Sequence, residues 1–182
     1  MKKTYAVIIF LFISLFAYSQ EDQEWDDYFM PGIGYKLYVP KNTALGTYHG
    51  FVTEFVVYAR AKGKASRKSG ASRIKTYGNL SIMSSDNSEA KDIFYSNIGL
   101  NLSFEGKTDR KYFIPFFGLE MGGLFQRNFS TFQFTPVAGL QILSTKSVLW
   151  NIHAGYQYTN KRFDEYSGYS FSSTFNVLLW NK

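Results

Sequence analysis

Apolar and polar side chains alternate with a period of two from about residue 32 to near the C-terminus. Successive side chains of a strand point to opposite faces, so such a run predicts a strand with one apolar and one polar face. The clearest case lies between Phe94 and Glu105. There Ser96, Ile98, Leu100, Leu102 and Phe104 share one parity, and Asn97, Gly99, Asn101, Ser103 and Glu105 share the other. Seven further segments read the same way: 33–39, 51–64, 72–83, 112–125, 131–143, 148–158 and 169–179. Their apolar parities hold residues such as Tyr35, Phe55, Ile74, Phe117, Phe134, Ile152 and Phe175, whereas Lys36, Glu54, Lys75, Glu120 and His153 lie opposite. Turn formers separate the segments, among them Pro40-Lys41-Asn42, Ser85-Asp86-Asn87-Ser88, Gly106-Lys107-Thr108-Asp109 and Ser144-Thr145-Lys146.

Eight consecutive strands with short connections predict an all-β chain closed into an antiparallel up-and-down barrel, because closure removes the two exposed edges. Two closed barrels compete. A soluble lipocalin-like barrel turns its apolar face inward around a ligand, whereas a transmembrane barrel turns it outward to lipid. Three features favour lipid. Charge is confined to one parity. Gly99, Gly118, Gly122, Gly139 and Gly155 crowd that same parity. Aromatic residues gather towards strand ends on the other, at Phe94, Phe104, Phe113, Phe125, Phe132, Tyr156, Tyr158 and Tyr169, as an interfacial girdle requires.

The N-terminus adds a location. Lys2 and Lys3 precede an apolar run from Tyr5 to Phe16, and Ala17-Tyr18-Ser19 supplies small residues at the positions a signal peptidase reads. The run is shorter than the ~20 residues that span a bilayer as a helix, so residues 1–19 are expected to be a cleaved signal peptide. Residues 20–30, with Glu21, Asp22, Glu24, Asp26 and Asp27, then form an acidic periplasmic segment ahead of a barrel over 31–182.

Composition narrows the chemistry. Aromatic residues make up 19% of the 182, which argues against a disordered or coiled-coil chain. With no cysteine, a disulfide framework, a thiol redox site and thiolate metal sites are excluded. The net charge of +6 is no sign of a nucleic-acid partner in an exported protein. His49 and His153 are the only histidines, and Ala154-Gly155, not a serine, follows His153. No catalytic, metal or cofactor site is expected from them. A basic hairpin end, Lys62, Lys64, Arg67 and Lys68, reads as a solvated turn, or alternatively as a patch for lipid phosphate or an acidic partner.

The polar parity predicts the interior. Eight strands leave a lumen that side chains fill, so Lys36, Glu54, Tyr58, Arg60, Arg73, Lys75, Asn97, Asn101, Glu120 and His153 are expected to form a plug, not a channel. Buried charges must pair. A first hairpin pivoting near Ala44–Gly46 sets Lys36 across from Glu54, and Glu120 is expected to seek Arg60, Arg73, Lys75 or a tyrosine.

In strand number, alternation, export segment and an aromatic C-terminal strand, residues 31 to about 180 resemble the small eight-stranded outer-membrane barrels of Gram-negative bacteria, of the OmpA-transmembrane and OmpX type. The resemblance implies outer-membrane insertion by the barrel assembly machinery, which reads a terminal aromatic residue, and places both termini in the periplasm. Here Trp180 is followed by Asn181-Lys182 and is out of phase with Phe175, Val177 and Leu179. Connections near 40–50, 84–91, 126–130 and 159–168 then face outside and are expected to be mostly the longer ones. The function expected is non-catalytic: a structural or accessory subunit, with membrane lipid and a larger outer-membrane protein as partners. A lipid-modifying barrel enzyme and a soluble ligand-binding barrel are the alternatives.

Overall fold

A computed structural model describes residues 25–61, 73–103, 112–145 and 147–181. Eight long strands follow one another: β1 Trp25–Pro40, β2 Tyr48–Ala61, β3 Arg73–Ser85, β4 Ile93–Ser103, β5 Tyr112–Gln126, β6 Phe129–Ser144, β7 Val148–Thr159 and β8 Gly168–Val177. Each pairs antiparallel with the next, and β1 pairs with both β2 and β8, so the sheet closes. The predicted up-and-down barrel is the observed one.

The polarity is inside out relative to a soluble barrel. Phe51, Ile98 and Ile33 are 80%, 72% and 71% exposed, whereas Lys36, Glu54 and Glu120 are each 2% exposed. The lipocalin-like alternative needs the apolar parity inside, and that parity forms the outer wall.

Four details depart from the sequence reading. First, β1 begins at Trp25, so the last six residues of the segment expected to precede the barrel belong to its first strand. Tyr28 and Met30 bury inward there while Phe29 stacks on outward Phe55. Second, the first hairpin pairs Tyr38 with Tyr48, which places Lys36 across from Gly50 and Glu54 across from Gly32. A 3₁₀ turn at Thr43–Leu45, capped by Asn42 and closed by Gly46 at φ 71°, moves the pivot two residues earlier than expected. Lys36 and Glu54 are therefore not opposite.

Third, Ile142 is an extra residue in β6, because the register with β7 shifts between Gln141 and Leu143. That bulge turns Ser144, expected in a turn, into the lumen. Fourth, β8 breaks at Leu178–Leu179 and resumes as β9, Trp180–Asn181, against β1. Gly32 pairs with Asn176 but Phe29 pairs with Trp180, a shift of one residue. The shift sets the backbone of Trp180 opposite Phe29; the Trp180 side chain lies outside the described ones.

Strand ends set the connections. Residues 41–47, 86–92, 127–128 and 160–167 join strands at one mouth. Residues 62–72 and 104–111 lie outside the described ones.

Candidate functional site

The interior is built in three layers. At the mouth of the 160–167 connection, Tyr38, Tyr48, Met83, Ile93, Tyr95, Leu124 and Tyr166 form a buried apolar cluster. At the mouth nearer the termini, Tyr28, Met30, Val56, Tyr58, Tyr77 and Leu149 form another, with the Tyr28 and Tyr58 rings stacked 4.8 Å apart. Charged and amide side chains fill the middle.

Glu120 is the hub of that middle layer. Its Oε1 accepts from Tyr77 Oη at 3.0 Å and Asn79 Nδ2 at 3.2 Å, and lies 3.4 Å from His153 Nε2. Its Oε2 lies 3.7 Å from Lys36 Nζ. Glu120 is on β5, and its partners come from β1, β3 and β7. Because β1 and β5 are four strands apart either way around the barrel, the Lys36–Glu120 pair spans the lumen.

The network extends along the wall. Asn97 Nδ2 donates to Asn79 Oδ1 at 3.2 Å, and Gln133 Nε2 donates to Asn97 Oδ1 at 2.5 Å. Glu54 accepts from Thr174 Oγ1 at 2.9 Å. Lys75 donates to Gln141 Oε1 at 3.0 Å and to Ser144 Oγ at 3.3 Å, and sits 5.1 Å from the centre of the Tyr58 ring. Lys36 similarly lies over the Tyr95 ring at 5.0 Å. Among the described residues, two buried lysines, Lys36 and Lys75, accompany two buried carboxylates, Glu54 and Glu120.

One glycine makes this possible. A Cβ at Gly99, which pairs with Glu120 across β4 and β5, would overlap the Tyr77 ring. Only hydrogen there lets the Tyr77 hydroxyl reach the carboxylate.

Tyr166 is buried at the mouth of the 160–167 connection. It ends a one-turn helix, α1 Phe163–Tyr166, and its hydroxyl donates to Gln126 Oε1 at 3.0 Å. Its carbonyl accepts from Tyr38 Oη and from Gln157 Nε2 at 3.3 Å, and its ring stacks on Phe129 at 5.1 Å. Above it, exposed Lys41 donates to Asp164, which holds the Lys41 ammonium above the ordinary lysine value through that hydrogen bond and its charge.

The structure brings together Lys36, Tyr58, Lys75, Asn97, Asn101, Glu120, His153 and Glu54 as buried lumen residues, all on the predicted face. Asn101 pairs in register with Lys75. Of the partners expected for Glu120, a tyrosine is present, but Lys75 is engaged elsewhere by Gln141 and Ser144. The side chains of Arg60 and Arg73 lie outside the described ones, as do residues 1–24 and the basic residues Lys62, Lys64, Arg67 and Lys68. His49 sits outward in β2, not on a loop and not beside His153. Sequence reasoning missed Tyr166 and Tyr95 as lumen elements, whereas parity alone sets Gln133 and Gln141 inward, where they are buried. Two aromatics, Phe163 and Tyr166, in the otherwise polar connection 160–167 were the available signal for Tyr166.

Fold and interior together define a class: small closed eight-stranded barrels with an apolar outer wall and buried polar side chains inside. No family model and no curated protein matches the chain. Among solved structures it is similar to Neisserial surface protein A, with a TM-score of 0.50 and 13% identity over 86% of this chain and 99% of that one. At that identity the likeness is one of fold.

Proposed function

We propose that this chain is a non-catalytic outer-membrane β-barrel whose lumen is plugged, acting as a structural or accessory subunit of a larger outer-membrane assembly. The outer wall supports the membrane placement. A monomer in water rarely exposes a continuous apolar surface, whereas lipid requires one. Export by a signal peptide over residues 1–19, insertion by the barrel assembly machinery and periplasmic termini complete the reading.

The observation that carries the closed, non-conducting role is the Lys36–Glu120 pair, which crosses the lumen while apolar clusters fill both mouths. A hydrated pore and a substrate path both need space that these side chains occupy. What remains for interaction is the outer wall and the connections at the mouths, the surfaces of a subunit docked in a larger complex. Planar-bilayer recording of the purified barrel tests the plug: no stable conductance is expected, and reproducible steps altered by Glu120→Gln would overturn it. Pull-down of a tagged chain from native membranes tests the accessory role, which fails if the barrel is recovered alone under mild extraction.

A further inference from the structure

On the reading that the barrel lies in a bilayer, we propose that one sector of its outer wall, β6–β7–β8–β1, binds a phosphate-bearing anionic lipid from the leaflet at the 160–167 mouth. Three observations stack along the barrel axis in this sector, in the order headgroup, interface and acyl chain.

At the rim, Lys41, Arg127, Lys161 and Arg162 are all exposed, against the carboxylates Asp164 and Glu165. Lys41 pairs with Asp164 and Arg162 with Glu165 at 3.4 Å, which leaves Lys161 and Arg127 in excess. The connection 86–92, from β3 to β4, has the opposite balance, with Asp86, Glu89 and Asp92 against Lys91. An anionic headgroup is therefore drawn to one side of this mouth and repelled from the other.

Below the rim is a run of touching aromatic rings. Lys41 Nζ lies 5.5 Å from the Phe163 ring, Phe163 stacks on Tyr158 at 6.3 Å, and Tyr156 packs edge-on against both Tyr158 and Tyr169, at 4.9 and 5.0 Å. Phe134 extends the run onto β6. Tyrosines with an apolar body and a polar tip settle at the headgroup level of a bilayer.

Beneath the rings the wall is indented. Ala154 and Ala138 are adjacent in register where large residues stand above and below, and the depression of about 470 Å³ is walled by Leu37, Leu140, Ile152 and Phe171. Its lining is almost entirely apolar, the surface an acyl chain fills without leaving a void. Cationic rim, tyrosine belt and apolar groove match the three parts of one lipid.

The experiment reconstitutes the mature barrel in vesicles of equal phosphatidylglycerol and phosphatidylcholine, extracts it in mild detergent and weighs the retained lipid by native mass spectrometry. Phosphatidylglycerol is expected to be retained several-fold over phosphatidylcholine. Arg127→Glu with Lys161→Glu should abolish the preference but leave some lipid bound. Ala138→Phe with Ala154→Phe should remove retention of both lipids in a barrel that still shows native circular dichroism. Excess glycerol phosphate should not displace the bound lipid, since the chain seated in the groove contributes to binding. Equal retention of the two lipids, a preference that survives charge reversal, or displacement by glycerol phosphate would overturn the proposal. A chain that does not enter these vesicles would instead overturn the membrane reading on which it rests.

Discussion

Lys36 on β1 and Glu120 on β5 face each other from opposite walls of the barrel and meet 3.7 Å apart at its centre, both nearly inaccessible to solvent. A contact across the full lumen ties strands that no hairpin connects. It also makes each partner dependent on the other, because an ion left alone in that interior has no water to solvate it.

Glu120→Ala is accordingly expected to destabilise the barrel by about 3–5 kcal/mol, since it strands Lys36 and removes the acceptor shared by Tyr77, Asn79 and His153. Adding Lys36→Met should recover part of that loss. Adding Lys36→Met to Glu54→Ala should recover less, as Glu54 is held by Thr174 and not by Lys36. Urea titrations of folding into vesicles measure all three. Equal recovery in the two backgrounds would show that the pairing is not specific.

Gly99→Val should cost a few kcal/mol although it adds only apolar atoms, because the new side chain displaces the Tyr77 ring and breaks its bond to Glu120. Combining it with Tyr77→Ala should restore much of the stability by clearing the space. A double mutant no better than Gly99→Val alone would place the strain elsewhere.

Depth in the membrane should scale the cost of charge on the outer wall. Ile98, well within β4 and 72% exposed, should lose about 2–4 kcal/mol as Ile98→Arg, whereas Tyr169→Arg at the start of β8 should lose about 0–1. Equal costs in a folding titration would argue against a bilayer around this wall.

Tyr166→Ala should open the mouth at the 160–167 connection without unfolding the barrel. It removes the hydroxyl bond to Gln126 and the stack on Phe129, while the backbone bonds of α1 remain. Faster proteolysis within 160–167, with a fall in the midpoint of global unfolding smaller than that of Tyr95→Ala in the same cluster, is the expected pair of results. An equal or larger fall would show that Tyr166 holds the whole barrel and not this mouth alone.

What the sequence determined by itself was the face of nearly every residue. Side chains alternate across a strand by geometry alone, so parity told which residues face the lumen and which form the outer wall, and Lys36, Glu54, Lys75, Asn97 and Glu120 were legible as interior without any contact being known. Only the tertiary structure decided who meets whom. The pivot of the first hairpin rested on capping at Asn42 and Gly46, and two residues of error there paired Lys36 with the wrong acid. The bulge at Ile142 turned Ser144 inward, and the break at Leu178–Leu179 shifted the pairing with β1 by one residue. Both insert one residue where local pattern shows no interruption. The Lys36–Glu120 contact was beyond reach for a simpler reason. It joins two strands through the middle of a closed ring, and its distance is set by the diameter that closure imposes, a property of all eight strands together.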